Sequence, residues 1–262
     1  MELHVIIAGR AWRVALDRPR SLAIPLRFNG LQPNFFDAPE ASARPLAVSG
    51  FVGDTRQGGS CNVAALSLVP HCNGTHTESA GHILHEPCPV HEALPQGLMP
   101  AALVSVTPAA QDGDRVIGRD ALAAALAGYT EEELTGVIVR TLPNQAAKLS
   151  AIYGADCEPP FFAEDAIRHL AVRGVRHLLA DIPSLDRMQD GGRLAGHRAF
   201  WNVPQGRHEA RAEARLDRTV TEMIFVPDDI ADGLYLLDLQ IPAFASDAAP
   251  SRPVIYPLTG AG

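Results

Sequence analysis

His71-Cys72-Asn73-Gly74-Thr75-His76-Thr77-Glu78-Ser79-Ala80-Gly81-His82 is the stretch from which the rest of the chain is read. An apolar run at 63–69 precedes it and reads as a strand, so the polar residues begin where that strand ends. Gly74 lets the backbone turn sharply. In an extended segment His76 and Glu78, two apart, point to the same side, and Cys72 and His82 flank them. Neutral imidazole nitrogen and ionised carboxylate oxygen are good ligands for zinc and its neighbours. A carboxylate between imidazoles can hold one cation or bridge two, and an uncoordinated histidine can carry protons. Five of the ten histidines (His71, His76, His82, His85 and His91) fall within 21 residues around this stretch.

The remaining composition narrows the alternatives. The chain has 262 residues, 22 basic and 30 acidic, for a net charge of −8. No basic stripe suited to nucleic acid is present. At 47% hydrophobic and 20% charged residues the chain reads as folded rather than disordered. Lys148 is the only lysine. No apolar run reaches the roughly 18 residues of a membrane span, and the acidic start lacks the basic region of a signal peptide. A cytoplasmic protein folded as one domain over residues 1–262 is expected. The four cysteines (Cys61, Cys72, Cys88 and Cys157) show no CxxC spacing and are expected to be reduced. Cys61, Cys88 and Cys157 read as buried small hydrophobes.

Gly (22) and Pro (21) are frequent enough to imply many turns. The stretch 32–47 reads as an extended loop. Apolar and β-branched runs predict strands at 5–8, 11–16, 63–69, 101–106, 137–141, 177–181, 219–226, 234–239 and 253–257. Helices are expected at 119–129 and 163–173. The second carries Ala163, Ala166, Ile167, Leu170 and Ala171 on one stripe, with Gly174 as its C-terminal cap. A third helix starts near Arg193 and carries His197. The class is mixed α/β, dominated by strands. Alternation in 219–226 puts Glu222 on an apolar face with Val220, Ile224 and Val226. An acid there is costly without a cation or basic partner. Asp181 and Asp186 read equally well as caps of a turn and a helix. His85, His91, His169, His177 and His208 read as structural or surface residues. The run 207–215 reads as a solvated helix or loop.

The stretch at 74–82 resembles the His-x-Gly-Thr-His-x-Asp-x-x-x-His signature of the cyclase/kynurenine formamidase family of metal-dependent hydrolases. Gly74, Thr75, His76, Glu78 and His82 match at the same spacing, with Glu in place of Asp. Farther along, 180–186, Gly196-His197-Arg198, Val220-Thr221-Glu222, 233–235 and 250–253 resemble later family motifs in the same order. The resemblance spans roughly residues 20–258. It implies the family's swivelling β/β/α fold, usually as a homodimer with sites near the interface. It also implies a divalent metal, zinc or manganese, on His76, Glu78, His197 and Glu222, with His82 as the catalytic proton carrier.

One position departs from the pattern. The family's first histidine corresponds to Cys72, with His71 beside it. Cys72 ligates as a thiolate, or His71 swings in, or the ligand is lost and the site is weakened. The activity implied is hydrolysis of a carbon–nitrogen amide bond in a small molecule, an aryl formamide such as N-formylkynurenine. The alternatives are an isatin-type cyclic amide or lactone hydrolase, a cyclase, and a non-catalytic relative with a degraded site. Phe35, Phe36 and Trp201 serve either as an aromatic wall for the substrate or as core.

Overall fold

The computed structural model describes residues 3–94 and 97–260. Its framework is one sheet of eleven strands. Three parallel pairings form the centre: Leu98–Val106 with Gly136–Thr141, Gly136–Thr141 with His177–Ala180, and His177–Ala180 with Thr219–Glu222. These strands are buried on both faces, which is why Gly136–Thr141 and His177–Ala180 read as largely apolar runs, whereas Thr219–Glu222 buries polar residues as well. On one side Gly233–Gln240 and then Arg252–Gly260 pair antiparallel, and the hairpin Leu3–Ile7/Arg10–Val14 extends that edge. On the other side His76–Glu78 pairs antiparallel with Thr219–Glu222, and Ala248–Pro250 adds to His76–Glu78.

Helix Glu164–Val172 packs its Ala166, Ile167 and Leu170 into one apolar layer, together with Phe200 and Trp201 of helix Ala195–Trp201. Its chain reverses at Gly174, whose φ of +80° only glycine adopts without strain. The opposite face of the sheet is covered by a second cluster that includes Leu22, Leu103, Ile138, Leu179 and Leu237. The fold is α/β and strand-rich with few helices, as expected.

Several boundaries move for identifiable reasons. The strand expected over 219–226 stops at Glu222, because Met223 takes a φ of +51°. Met223 is held there by its N–H to the Ile182 carbonyl (2.9 Å) and by the Thr75 hydroxyl donating to its own carbonyl (2.5 Å). The helix expected over 119–129 is shorter, Arg119–Ala125. The loop expected over 32–47 contains Asn34–Phe35, paired with Ile152–Tyr153, and Ser42–Pro45, which forms a hairpin with Ala64–Ser67. The 63–69 run is therefore a largely exposed hairpin arm, not a core strand. Cys61 and Cys157 are exposed and Cys88 is half-buried, contrary to the expectation of buried thiols; Cys61 sits in a bend and Cys157 in an isolated bridge to Gly154. Among the described residues no helix is long and apolar enough to cross a membrane.

Candidate metal centre

The motif strand places its side chains by strand alternation. His76 lies opposite Glu222, and Thr77 lies opposite Thr221. His76, Glu78 and Glu222 therefore share one face, while the Thr77 and Thr221 hydroxyls bond each other at 2.8 Å on the other. Gly74, at a φ of +94°, turns its carbonyl back to accept from His76 Nδ1 at 3.0 Å. That fixes the tautomer and leaves Nε2 bare. Thr75 pins the entry: its hydroxyl oxygen accepts from the Ile24 N–H at 2.9 Å.

The other members arrive from the carboxyl ends of the parallel strands, where open α/β sheets place their ligands. Glu222 ends its strand, and its Oε1 accepts the Leu185 N–H at 2.8 Å. His197, on helix Ala195–Trp201, sends Nδ1 to Asp186 Oδ2 at 2.6 Å. Asp186 also accepts from the Gly196 and His197 N–H groups. It caps the helix, as the sequence suggests, and also orients the imidazole. Trp201 is fully buried beside the His197 ring, at 5.4 Å between centroids, and donates Nε1–H to the Arg218 carbonyl. It belongs to the core. Phe35 is also buried, whereas Phe36 is exposed.

The ligand atoms converge. His76 Nε2 lies 3.5 Å from Glu222 Oε2. His197 Nε2 lies 2.8 Å from Glu78 Oε1 and 3.5 Å from Glu222 Oε1. His71 Nε2 lies 3.5 Å from Glu78 Oε2 and 3.0 Å from Asp247 Oδ2. His82 Nδ1 stands farther out, 3.9 Å from Glu78 Oε2 and 3.8 Å from Asp247 Oδ2, its ring stacked on His71 at 4.5 Å. Two groups with metal-ligand geometry result, His76–Glu78–Glu222 and His71–Glu78–His82, and Glu78 belongs to both.

Cys72 is in neither group. Its thiol is half-buried, and burial and Glu222 push its pKa up, away from thiolate. Asp181 stays apart: it accepts from Thr141 and pairs with Lys148 at 2.7 Å. Asp247 was not read from the sequence. Nothing in Ser246-Asp247-Ala248 separates it from any other loop acid.

Among the described residues, eight buried side-chain polar atoms lack an aligned hydrogen-bond partner. Four of them are His71 Nε2, His76 Nε2, His197 Nε2 and Glu78 Oε1. They face oppositely charged neighbours as ion pairs but make no aligned hydrogen bond, and native structures concentrate few such atoms in one place. A divalent cation satisfies all of them, so the residues fit one. The protonation pattern agrees. Burial alone would raise the Glu78 carboxyl and lower the His197 imidazole. Instead His82, His197 and His71 draw Glu78 well below the usual carboxylate range, and Glu78, Asp186 and Glu222 hold His197 well above its ordinary value. His76 is raised in the same way, chiefly by Glu222 against its burial. Asp247 is lowered by His71 and His82.

The model of the Cyclase family, described as "Putative cyclase", matches residues 20–187. A search of curated protein sequences finds no match. Among solved structures the chain is similar to one described as a predicted metal-dependent hydrolase from Bacillus stearothermophilus, with 17% identity, TM-score 0.61 and coverage of 91% of this chain and 98% of that one. It is similar to an isatin hydrolase bound to the product analogue thioisatinate, with 15% identity, TM-score 0.62 and coverage of 93% and 92%. It is also similar to isatin hydrolase A from Labrenzia aggregata bound to benzyl benzoate, with 17% identity, TM-score 0.61 and coverage of 91% and 93%. At these identities the likeness carries the fold. The family model covers more than half of the chain, including the whole 71–82 stretch and Asp186, and on that ground the chain belongs to the cyclase family.

Proposed function

We propose that the protein is a metal-dependent hydrolase of a carbon–nitrogen amide bond attached to an aromatic ring. The observation that carries this is the convergence of buried ligand atoms that make no aligned hydrogen bond, His76 Nε2, His197 Nε2 and Glu78 Oε1, with Glu222 at the strand ends. His76, Glu78, His197 and Glu222 would hold the cation, zinc or manganese. When bound, such a cation supplies Lewis acidity, polarising a carbonyl oxygen and acidifying water.

The chain's own groups supply the rest. Asp186 fixes the tautomer of His197 so that Nε2 faces the site, the usual arrangement behind a ligating histidine. The Leu185 N–H fixes Glu222. His82 is the proton carrier: its side chain is 28% exposed, the ring is close to Glu78 and Asp247, and it is the imidazole farthest from the donor cluster. It takes a proton from the attacking water and returns it to the departing nitrogen. Because an aniline is a weakly basic leaving group, this second transfer matters less than for an alkyl amine.

Two substrates fit this chemistry, an aryl formamide such as N-formylkynurenine and an isatin-type cyclic amide. The second is favoured by the similarity to isatin hydrolases. A homodimer is proposed as the working form. The experiment is to follow hydrolysis of N-formylkynurenine and of isatin by absorbance, before chelation, after chelation, and after resupply of zinc or manganese. Turnover of either that vanishes on chelation and returns with metal supports the reading. A metal-loaded protein inert toward both, and toward lactones, contradicts it in favour of a non-catalytic relative.

A further inference from the structure

We propose that the cavity between helices Glu164–Val172 and Ala195–Trp201 binds the phosphate group of a small phosphate monoester, held by Arg215 and Arg218. The cavity measures about 380 Å³, within the size range of small-molecule sites. Arg168, Arg215, Arg218 and Asn202 line it, with Ala171 and Ala199 among its apolar residues, and no carboxylate faces it. The chain carries a net charge of −8. Three guanidinium groups around one hollow are therefore a local reversal of sign, which draws anions to that place.

Arg218 is the centre of the site. Only 8% of it is exposed, and a buried cation is costly without a counter-charge. Its Nη1 donates to the Phe200 carbonyl and its Nη2 to the Ala171 carbonyl, both at 3.1 Å. These bonds cap the carboxyl ends of both helices and offset the negative charge that those ends would turn toward the cavity. They occupy two of the five N–H donors of the guanidinium. Among the described residues no carboxylate bonds it. Asp217, its neighbour in the chain, is paired with Arg176 at 3.2 Å. Burial, Arg215 and Arg176 push the Arg218 pKa down despite Asp217, so the positive charge there is not balanced by the protein. Arg215 is exposed, at a rim where its fork can close on an anion seated on Arg218. Arg168 is partly committed, since its Nε and Nη2 both donate to Glu164 Oε1, at 2.9 and 2.6 Å.

The donor set selects the ligand. Guanidinium forks match the oxygens of a phosphate two at a time. The apolar wall and the size of the cavity exceed what a bare phosphate needs, so the anion carries a small apolar group. The site is separate from the metal centre. Arg218 immediately precedes Thr219–Glu222, and Glu222 lies at the far end of that strand, about 13 Å away along it. The two places are nevertheless joined by packing. The Arg218 carbonyl accepts Trp201 Nε1–H at 3.0 Å, and Trp201 lies against the His197 ring at 5.4 Å between centroids. A phosphate that holds Arg218 thus stabilises the helix that carries His197.

The test is calorimetric titration of the full chain with inorganic phosphate, phenyl phosphate and phenol, as purified and after chelation, at an ionic strength fixed with NaCl. Wild type is expected to bind one equivalent of phenyl phosphate, more tightly than inorganic phosphate and equally well before and after chelation, and not to bind phenol. Arg215→Gln should weaken binding about tenfold, the loss of one charged hydrogen bond. Arg218→Lys, which keeps the charge and removes the fork, should weaken it at least as much. Glu164→Gln releases Arg168 and should tighten it. Arg187→Gln, whose partner is Asp114, should leave it unchanged. Thermal melts establish that each variant is folded. Equal affinity for the two phosphates overturns the organic group and leaves the phosphate site. No binding of either phosphate in the millimolar range overturns the site, as does affinity unchanged in both folded Arg215→Gln and folded Arg218→Lys. Binding that vanishes on chelation also overturns it and places the anion at the metal. A protein that holds no metal but binds phenyl phosphate keeps this site while the hydrolase reading fails.

Discussion

The two ends of the same paired strands behave in opposite ways. At the amino end of His177–Ala180, His177 lies opposite Thr219, and its Nδ1 meets the Thr219 hydroxyl at 2.9 Å. At the carboxyl end of Thr219–Glu222, Glu222 lies opposite His76 with 3.5 Å between Nε2 and Oε2. Both histidines are buried. Burial pushes His177 down to about 4, so it stays neutral and inert. Around His76 the carboxylates outweigh burial, and the imidazole is raised. Burial alone thus makes a structural histidine. A chemical one needs ionised oxygens and an unmade hydrogen bond.

The sharpest way to break this contrast is Glu78→Gln. Glu78 belongs to both ligand groups, so the variant is expected to retain no cation after dialysis and to show background hydrolysis, read by elemental analysis beside an assay. Next is His82→Ala, which should lose on the order of 10²–10⁴-fold in turnover while keeping its cation. Loss of metal in that variant would move His82 among the ligands. Asp186→Asn should weaken cation affinity by about 10–100-fold, because Asp186 acts through His197, whose ring and helix it holds. Across these proteins, affinity should fall as pH is lowered. His76 and His197 have raised pKa values in the metal-free protein, so uptake must expel their protons. Calorimetry in buffers of different ionisation enthalpy reads that release.

The amino end of the strands gives the opposite test. His177 has a lowered pKa, so above pH 6.5 it is neutral both folded and unfolded and contributes no pH dependence. Below that the unfolded chain binds the proton and the folded one does not, until about pH 4. At pH 5 this costs about 2 kcal/mol. Denaturant melts of wild type and His177→Gln should show a steeper loss of stability for wild type between pH 6.5 and 5. The smallest effect concerns Cys72. Its raised thiol and its place outside both groups predict slow alkylation at the same rate with and without metal. Protection by metal would restore the thiolate reading.

Most of the framework was legible because the central strands are apolar runs bounded by turns, and the helix at 164–172 shows its buried stripe in spacing alone. The candidate site was legible where its residues share a short motif or a strand end, as His76, Glu78 and Glu222 do. The approach of Asp247 to His71 was not legible, because it depends on an edge strand that pairs with His76–Glu78 across most of the chain. Nor could spacing choose between His71 and Cys72. The reversal after Val69 decides which of two neighbouring side chains faces the carboxylates, and that turn is fixed by the Asn73 side chain. Trp201 shows the same limit from the other direction: a residue four past a ligand on one helix packs behind it instead of facing the substrate.

The most direct measurement is anomalous diffraction from crystals grown with zinc, with data collected on both sides of the zinc edge. The account predicts a full-occupancy anomalous peak among His76 Nε2, His197 Nε2 and the carboxylates of Glu78 and Glu222, at the carboxyl end of the parallel strands. The absence of a peak there, with zinc bound elsewhere or not at all, would contradict it.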